Sequence, residues 1–364
     1  MKVNYLHHNL DKKAFIFPKN EKVLICQEIF NQVCVLANGD VVCSCRDYNG
    51  MYIVGNIYQN RIYKIFHNEK YTQLRDIVLN SNYSCYCSQV KGNCVFKKRS
   101  SKSIQNELKE LTIKKIQLET ISNCNLNCPI CEVSNWKRNK SSRLAKLSFE
   151  TIKELIYDVK NSLTYLSLFN YGEPFLDDRL LDILRYIKEV VPRAYVYIHT
   201  NGNFIPDNWK QRIIEEHLID EISFSIDGAS QQTYEKYRVG GQFERAFNNM
   251  ADLVNIKNKL GISKHIGNYL KDIVYRKNRL WKFKPYIIWQ YILFEWNDSP
   301  EEIAKAQKLA KDLGIDIVWI ITHSNGKSKR FNENTEEYHK LWGIKNYSSE
   351  VISNQIERKI VNKS

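Results

Sequence analysis

Residues 124–131 read CNLNCPIC, so Cys124, Cys128 and Cys131 share one short loop and no cysteine follows them in the chain. Thiolates this close together hold metal. A closed zinc site takes four protein ligands, and a fourth is hard to find here. No histidine lies between His67 and His199, and the nearest upstream cysteine is Cys94. A structural zinc knuckle would have to borrow a ligand from elsewhere in the chain. A four-iron cluster fits three thiolates better, because three irons are then satisfied and the fourth keeps an open position, as catalytic metal sites do. The remaining seven of the ten cysteines fall between Cys26 and Cys94. In a reducing compartment such a cluster of cysteines binds metal more often than it forms disulfides.

The elements that must carry these thiols follow from hydrophobic periodicity. QVCVLA and VVCSC flank a turn at Asn38-Gly39-Asp40, with VLICQEIF before them, and read as a β-hairpin. A helix-like stretch follows, with Ile62, Ile65 and Phe66 and then Leu74, Ile77 and Val78. KKRSSKSIQNE (97–107) is basic and Ser-rich and reads as a linker. Beyond it strands and helices alternate. Strands are expected at 113–121, 164–170, 194–200, 221–227, 286–294 and 315–322. Ser148 is an expected N-cap, and Pro300 and Gly314 should start and stop the last helix. Six strand–helix units are fewer than the eight of a full barrel. The fold class is therefore α/β: a partial (β/α)6 TIM-like barrel with a small N-terminal cysteine-rich β-hairpin/α module. The expected boundaries are 1–96 for the module, 97–112 for the linker, 113–323 for the barrel and 324–364 for a polar C-terminal tail.

Composition sets outer limits. Of 364 residues, 43% are hydrophobic and 26% charged, as in globular proteins. No run of apolar residues is long enough for a transmembrane helix, and MKVNYLHHNLDKKAF has no apolar core of the signal-peptide kind. A cytoplasmic protein with no membrane partner is expected. The net charge of +14 raises nucleic acid as a partner. It is discounted, because the excess is mostly scattered lysine. The exception is 256–285, where basic residues from Lys257 to Lys284 are interleaved with Tyr269, Tyr275, Trp281 and Phe283.

Four polar motifs fall at the C-terminal ends of the first four barrel strands, where such folds place their chemistry. They are the cysteine loop, Gly172-Glu173-Pro174, Thr200-Asn201-Gly202, and Ser225-Ile226-Asp227-Gly228 followed by Tyr237-Arg238-x-Gly-Gly. Together they resemble the radical S-adenosylmethionine (radical SAM) enzymes. The resemblance implies a [4Fe-4S] cluster on Cys124, Cys128 and Cys131, with S-adenosylmethionine on the vacant iron. It implies cofactor contacts from Gly172, Glu173, Pro174, Thr200, Asn201, Ser225, Asp227 and Arg238. Glu173 would receive the amino group, and Ser225 and Arg238 would face the carboxylate. Tyr171 stands where many relatives have a second glycine, and Ile130 where an aromatic residue often packs near adenine.

The stretch from CVLANGDVVCSC to CYCSQVKGNC resembles the auxiliary-cluster modules called SPASM or twitch domains, which in most relatives follow the barrel. The implied auxiliary iron–sulfur ligands are Cys43, Cys45, Cys85, Cys87 and Cys94, with Cys26 as a further candidate. Cys34, inside a strand, reads as a buried hydrophobe. Zinc in four of these thiolates is the other reading. The implied activity is reductive cleavage of S-adenosylmethionine to a 5′-deoxyadenosyl radical. That radical would abstract hydrogen from a peptide or sugar-like substrate, in an oxidation, epimerisation or crosslinking. The implied partner is an external one-electron reductant such as flavodoxin or ferredoxin. The alternative is a non-catalytic zinc- or iron-binding module that grips nucleic acid through 256–285.

Overall fold

The two-residue alternation of the barrel strands sorts their side chains onto opposite faces of one sheet. The computed structural model describes residues 22–26, 28–79, 96–262, 285–322, 325–332 and 334–341. Five strands come before the cysteine loop's own: β1 (Lys22–Cys26), β2 (Gln32–Val35), β3 (Asp40–Val42), β4 (Gly55–Asn56) and β5 (Phe96–Ser100). Six more follow: β6 (Lys115–Leu118), β7 (Tyr165–Ser167), β8 (Tyr195–Thr200), β9 (Glu221–Ser225), β10 (Tyr286–Leu293) and β11 (Asp316–Ile321). From β6 to β11 each strand pairs in parallel with the next in sequence, the topology of a partial barrel. Helices Phe149–Val159, Leu180–Val190, Asp207–Glu215, Phe243–Lys259 and Pro300–Leu313 make the crossovers. They bury Ile156, Leu184, Ile213 and Leu253 in one core with Leu166, Val196, Ile198 and Phe224 of the strands.

Helix ends follow the expected chemistry. The Ser148 hydroxyl accepts from Thr151 N at 3.0 Å, and Ser299 from Glu302 N at 3.2 Å. Gly314 ends its helix in the left-handed region, at φ 74°.

The N-terminal module differs from its expectation in one important respect. Its hairpin is not a separate sheet. β2 pairs in parallel with β6, from Gln32↔Lys115 to Val35↔Leu118, and carries β3 and β4 with it. An open barrel leaves its first strand with an unpaired edge, and β2 fills it. VLICQEIF is also not one strand. β1 pairs antiparallel with β5, and Glu28–Asn31 turns into a short helix before β2.

Residues 97–112, read as a linker on composition, contain most of β5 and the helix Ser101–Lys109. Ile104 is fully buried, and Leu108, one turn on, packs against the core. The polar stretch after 323 is likewise anchored as far as it is described. Phe331 and Tyr338 are buried, and the Tyr338 hydroxyl donates to Trp319 O at 3.1 Å. Of the basic stretch 256–285, residues 263–284 lie outside the described residues. Lys257 is not on a solvated face: it is buried and donates to Pro285 O at 3.0 Å, and burial lowers its pKa to about 8.

One buried carboxylate joins the module to the barrel. Glu119, just after β6, accepts from Ala37 N at 2.9 Å, Arg143 NH2 at 3.1 Å and Tyr171 N at 3.1 Å. Arg143 in turn donates to Tyr48 O at 3.2 Å and lies over the Trp136 ring at 4.6 Å. Removing one partner leaves the other charge buried and unpaired. Glu119→Ala is expected to destabilise the protein by about 3–5 kcal/mol, read from urea unfolding. A double-mutant cycle with Arg143→Ala should show strong coupling; additive losses would contradict it.

Candidate metal centre

The cysteine loop leaves the end of β6 and is held from three directions. Asn127 N, between the first two cysteines, donates to Val239 O at 2.9 Å, tying the loop to the Tyr237–Gly241 segment. The Asn123 carbonyl accepts from Glu173 N at 2.8 Å. Lys137, on helix Glu132–Arg138, donates to Leu126 O at 2.8 Å. Cys131 is the N-cap residue of that helix, and Ser134 Oγ donates to Cys128 O at 2.9 Å. Cys128 is buried, and Cys124 and Cys131 are partly so.

Gly172 explains how the second motif gets so close. Its φ is 97°, and a Cβ there would lie 2.3 Å from Ile121 O and 2.9 Å from Ser122 Cα. Only glycine lets this loop lie against the start of the cysteine loop. Glu173 then turns inward and is buried. Its carboxylate accepts from Phe175 N at 3.2 Å, Thr200 Oγ1 at 2.8 Å and Asn201 N at 2.7 Å. Burial pushes its pKa up to about 7, and these hydrogen bonds offset part of the rise. Pro174 opens the single turn Pro174–Leu176 that follows.

Asn201 reaches the metal loop directly. Its amide donates to Asn125 Oδ1 at 2.8 Å and to Cys124 Sγ at 3.6 Å. Asp227 and Arg238 form a buried pair, with Arg238 Nε and NH2 both 2.6 Å from Asp227 Oδ2. Asp227 Oδ1 also accepts from Ile292 N at 2.6 Å. Ser225, at the end of β9, accepts from Gln290 Nε2 at 3.4 Å. The residues expected from the four motifs therefore meet at one end of the sheet. Arg238, however, is already forked onto Asp227.

The donor set fits an iron–sulfur cluster with an open corner. Burial raises all three thiol pKa values, that of Cys124 to about 12 with Glu173 adding to the rise, while Arg238 pulls Cys128 partly back. Metal must then displace thiol protons as it binds. Among the described residues no three His, Cys or carboxylate side chains gather around one point as a single metal ion requires. A cluster takes one thiolate per iron, and the three thiols come from one eight-residue loop at the end of the sheet.

Of the auxiliary ligands, Cys85, Cys87 and Cys94 lie outside the described residues. Cys26 and Cys43 are buried in the main core, and Cys45 packs beside Cys34, Leu36 and Val42 in a second, smaller cluster. Cys34 is fully buried.

The motifs did not reveal Glu119, Arg143 or Asn297, whose Nδ2 holds Asp227 O at 3.1 Å. Glu119 left one signal, an acid directly continuing the strand IQL. Arg143 and Asn297 left none.

The comparisons agree with this geometry. Residues 118–273 match the model of the Radical SAM superfamily, and residues 26–95 match that of the SPASM iron-sulfur cluster-binding domain. The chain thus carries a Radical SAM superfamily domain, with a SPASM domain on its N-terminal side. Its cofactors are accordingly a [4Fe-4S] cluster, S-adenosylmethionine and auxiliary iron–sulfur clusters.

An S-adenosyl-L-methionine-dependent 2-deoxy-scyllo-inosamine dehydrogenase of Niallia circulans is 31% identical over 103 residues, 28% of this chain and 40% of the relative. A GTP 3′,8-cyclase of Limosilactobacillus fermentum is 26% identical over 229 residues, 59% of this chain and 67% of the relative. The chain thus spans less than half of the dehydrogenase's length. Among solved structures, a radical SAM methyltransferase from Sphaerobacter thermophilus is 13% identical, with 62% of each chain covered and a TM-score of 0.41.

Two outcomes test the loop geometry. Gly172→Ala meets backbone at a positive φ and is expected to cost at least about 2 kcal/mol and to lower iron bound per chain; a wild-type melting curve and iron content would contradict it. The raised pKa of Glu173 has a definite sign. Its contribution is full below its unfolded value near pH 4.5 and is lost as pH rises through about 7. In metal-free protein, Glu173→Gln should flatten the fall in stability across that window, as read by urea unfolding at several pH values.

Proposed function

We propose that this chain is an enzyme that uses S-adenosylmethionine to abstract a hydrogen atom from a peptide or sugar-like substrate, ending in oxidation, epimerisation or crosslinking. The observation that carries the reading is the meeting of the cysteine loop with the Glu173, Asn201 and Asp227–Arg238 loops at the C-terminal ends of β6–β9.

Cys124, Cys128 and Cys131 would hold the cluster, which when bound supplies the electron that cleaves the sulfonium of S-adenosylmethionine to a 5′-deoxyadenosyl radical. Glu173 offers a carboxylate for the cofactor's ammonium. It makes three hydrogen bonds already, and a carboxylate has about four lone-pair sites, so it keeps accepting capacity. Asn201 orients the loop through Cys124 Sγ and Asn125. Arg238 and Ser225 would meet the cofactor's carboxylate. Because Asp227 is already paired with Arg238, that carboxylate would share the guanidinium rather than capture it alone. Burial of these groups limits water at the site, as radical chemistry requires.

The auxiliary module would relay an electron to or from the substrate radical, with ligands among Cys26, Cys43, Cys45, Cys85, Cys87 and Cys94. The reductant would be an external one-electron donor such as flavodoxin or ferredoxin, in the cytoplasm. The sugar-like option is supported by the cyclitol-amine substrate named for the Niallia circulans relative. No helix of the described residues is long and apolar enough to cross a membrane.

Anaerobically reconstituted protein is expected to cleave S-adenosylmethionine to 5′-deoxyadenosine under a strong reductant, measured by chromatography. Cys124→Ala, Cys128→Ala and Cys131→Ala should each abolish cleavage and each lower the iron content by one cluster's worth, leaving auxiliary iron in place. Iron-replete wild-type protein that yields no 5′-deoxyadenosine would sink the reading.

A further inference from the structure

We propose that the sheet face turned away from the helices binds a polyhydroxylated ring, gripped between the Tyr197–His199 pair of β8 and Gln290 of β10. This deepens the function proposed above and rests on it.

Strand parity defines the face. In β8, Val196, Ile198 and Thr200 are buried, whereas Tyr195, Tyr197 and His199 alternate with them and are partly exposed. Val196 and Ile198 pack in the core beneath the helices, so the aromatic set belongs to the opposite face. The register carries that face across the sheet. Tyr197 lies opposite Ser167 on β7, His199 opposite Ser223 on β9, and Ser225 opposite Gln290 on β10. The face runs up to the end of the sheet where Asn201 and Cys124 meet.

The groups nearest the end of the sheet are neutral and two-sided, with the acid Glu221 one pair further down, opposite Tyr197. Hydroxyl, imidazole and carboxamide groups each both donate and accept, which is the pattern of a ring of hydroxyls. Tyr197 OH and His199 Nε2 hydrogen-bond each other, fixing both. The Phe169 ring lies 4.1 Å from that of His199 and 5.3 Å from that of Tyr197. This aromatic wall suits the C–H face of a saturated ring.

The acids bordering the face are already engaged, Glu119 by Arg143 and Glu221 by the Tyr195 hydroxyl at 2.5 Å. A peptide is the poorer fit. Peptides are commonly held through their main chain along a sheet edge, whereas the polar groups here are side chains on a sheet face.

A second observation points to a ligand. Ser223 Oγ, on a fully buried residue of this face beside His199, has no hydrogen-bond partner among the described residues. Asn170 Nδ2, just beyond β7, has none among them either, although its Oδ1 accepts from Gln117 at 3.3 Å. Buried polar atoms are rarely left unpaired without a reason.

The test uses anaerobically reconstituted holoenzyme with S-adenosylmethionine and saturation-transfer difference NMR. The probes are myo-inositol, N-acetylglucosamine and a capped Ala-Ser-Gly-Thr peptide. Ring protons of at least one polyol should receive saturation and the peptide none. His199→Phe and Gln290→Leu, both with wild-type melting curves, should each weaken that polyol about fivefold or more.

A signal from the peptide alone, from no probe, or of equal strength in wild type and both variants overturns the proposal. Formation of 5′-deoxyadenosine by the same wild-type sample is scored separately. Cleavage without polyol binding sinks only this substrate class. Polyol binding by iron-replete protein that cannot cleave the cofactor sinks the radical reading instead.

Discussion

Three loops of this protein lean on one carboxylate. Glu173 sits in the second loop, its backbone N–H holds the carbonyl before the first cysteine, and its side chain receives the third loop through Thr200 and Asn201. An acid this deeply buried is costly unless its charge is met by donors. The three hydrogen bonds only partly offset burial, which leaves its pKa near neutrality. Under the proposed function, a site that accepts an ammonium group would gain from this arrangement. The carboxylate is pre-positioned by neutral donors, with Arg238 only partly offsetting its burial, so an arriving cation would favour its ionised form.

The sheet that carries these loops has two characters. The face under the helices is apolar and continuous, with Leu166, Ile198, Phe224 and Trp289 in a single core. The other face carries hydroxyls, amides and an imidazole. Close packing fixes the first face and so fixes the spacing of the second, because each strand presents both by simple alternation. The polar groups can then be poorly satisfied in places, as Ser223 is, without loss of the framework that holds them.

Much of this could be read in the chain beforehand, for physical reasons that differ by element. The six barrel strands were legible because apolar alternation and helix caps act locally. Ser148, Pro300 and Gly314 do in the structure what their types predict. The four motifs were legible because glycine and acidic residues at strand ends rarely serve packing.

What stayed hidden depends on partners distant in sequence. β1 needed β5, some seventy residues on, so the segment holding β5 looked like a polar connection. Arg143 has its meaning only beside Glu119 and Tyr48. Lys257 looked like one more surface cation, and its burial against Pro285 has no local signature.

The parallel pairing of β2 with β6 has a consequence for how the chain is made. Gln32 leaves the ribosome long before Lys115, its partner in the register. During synthesis the cysteine module carries a strand with one side unfilled, and a non-local contact of this length forms slowly. Thiols of that module are therefore translated, and open to capture by iron or by oxidant, before the first barrel strand exists to complete their fold.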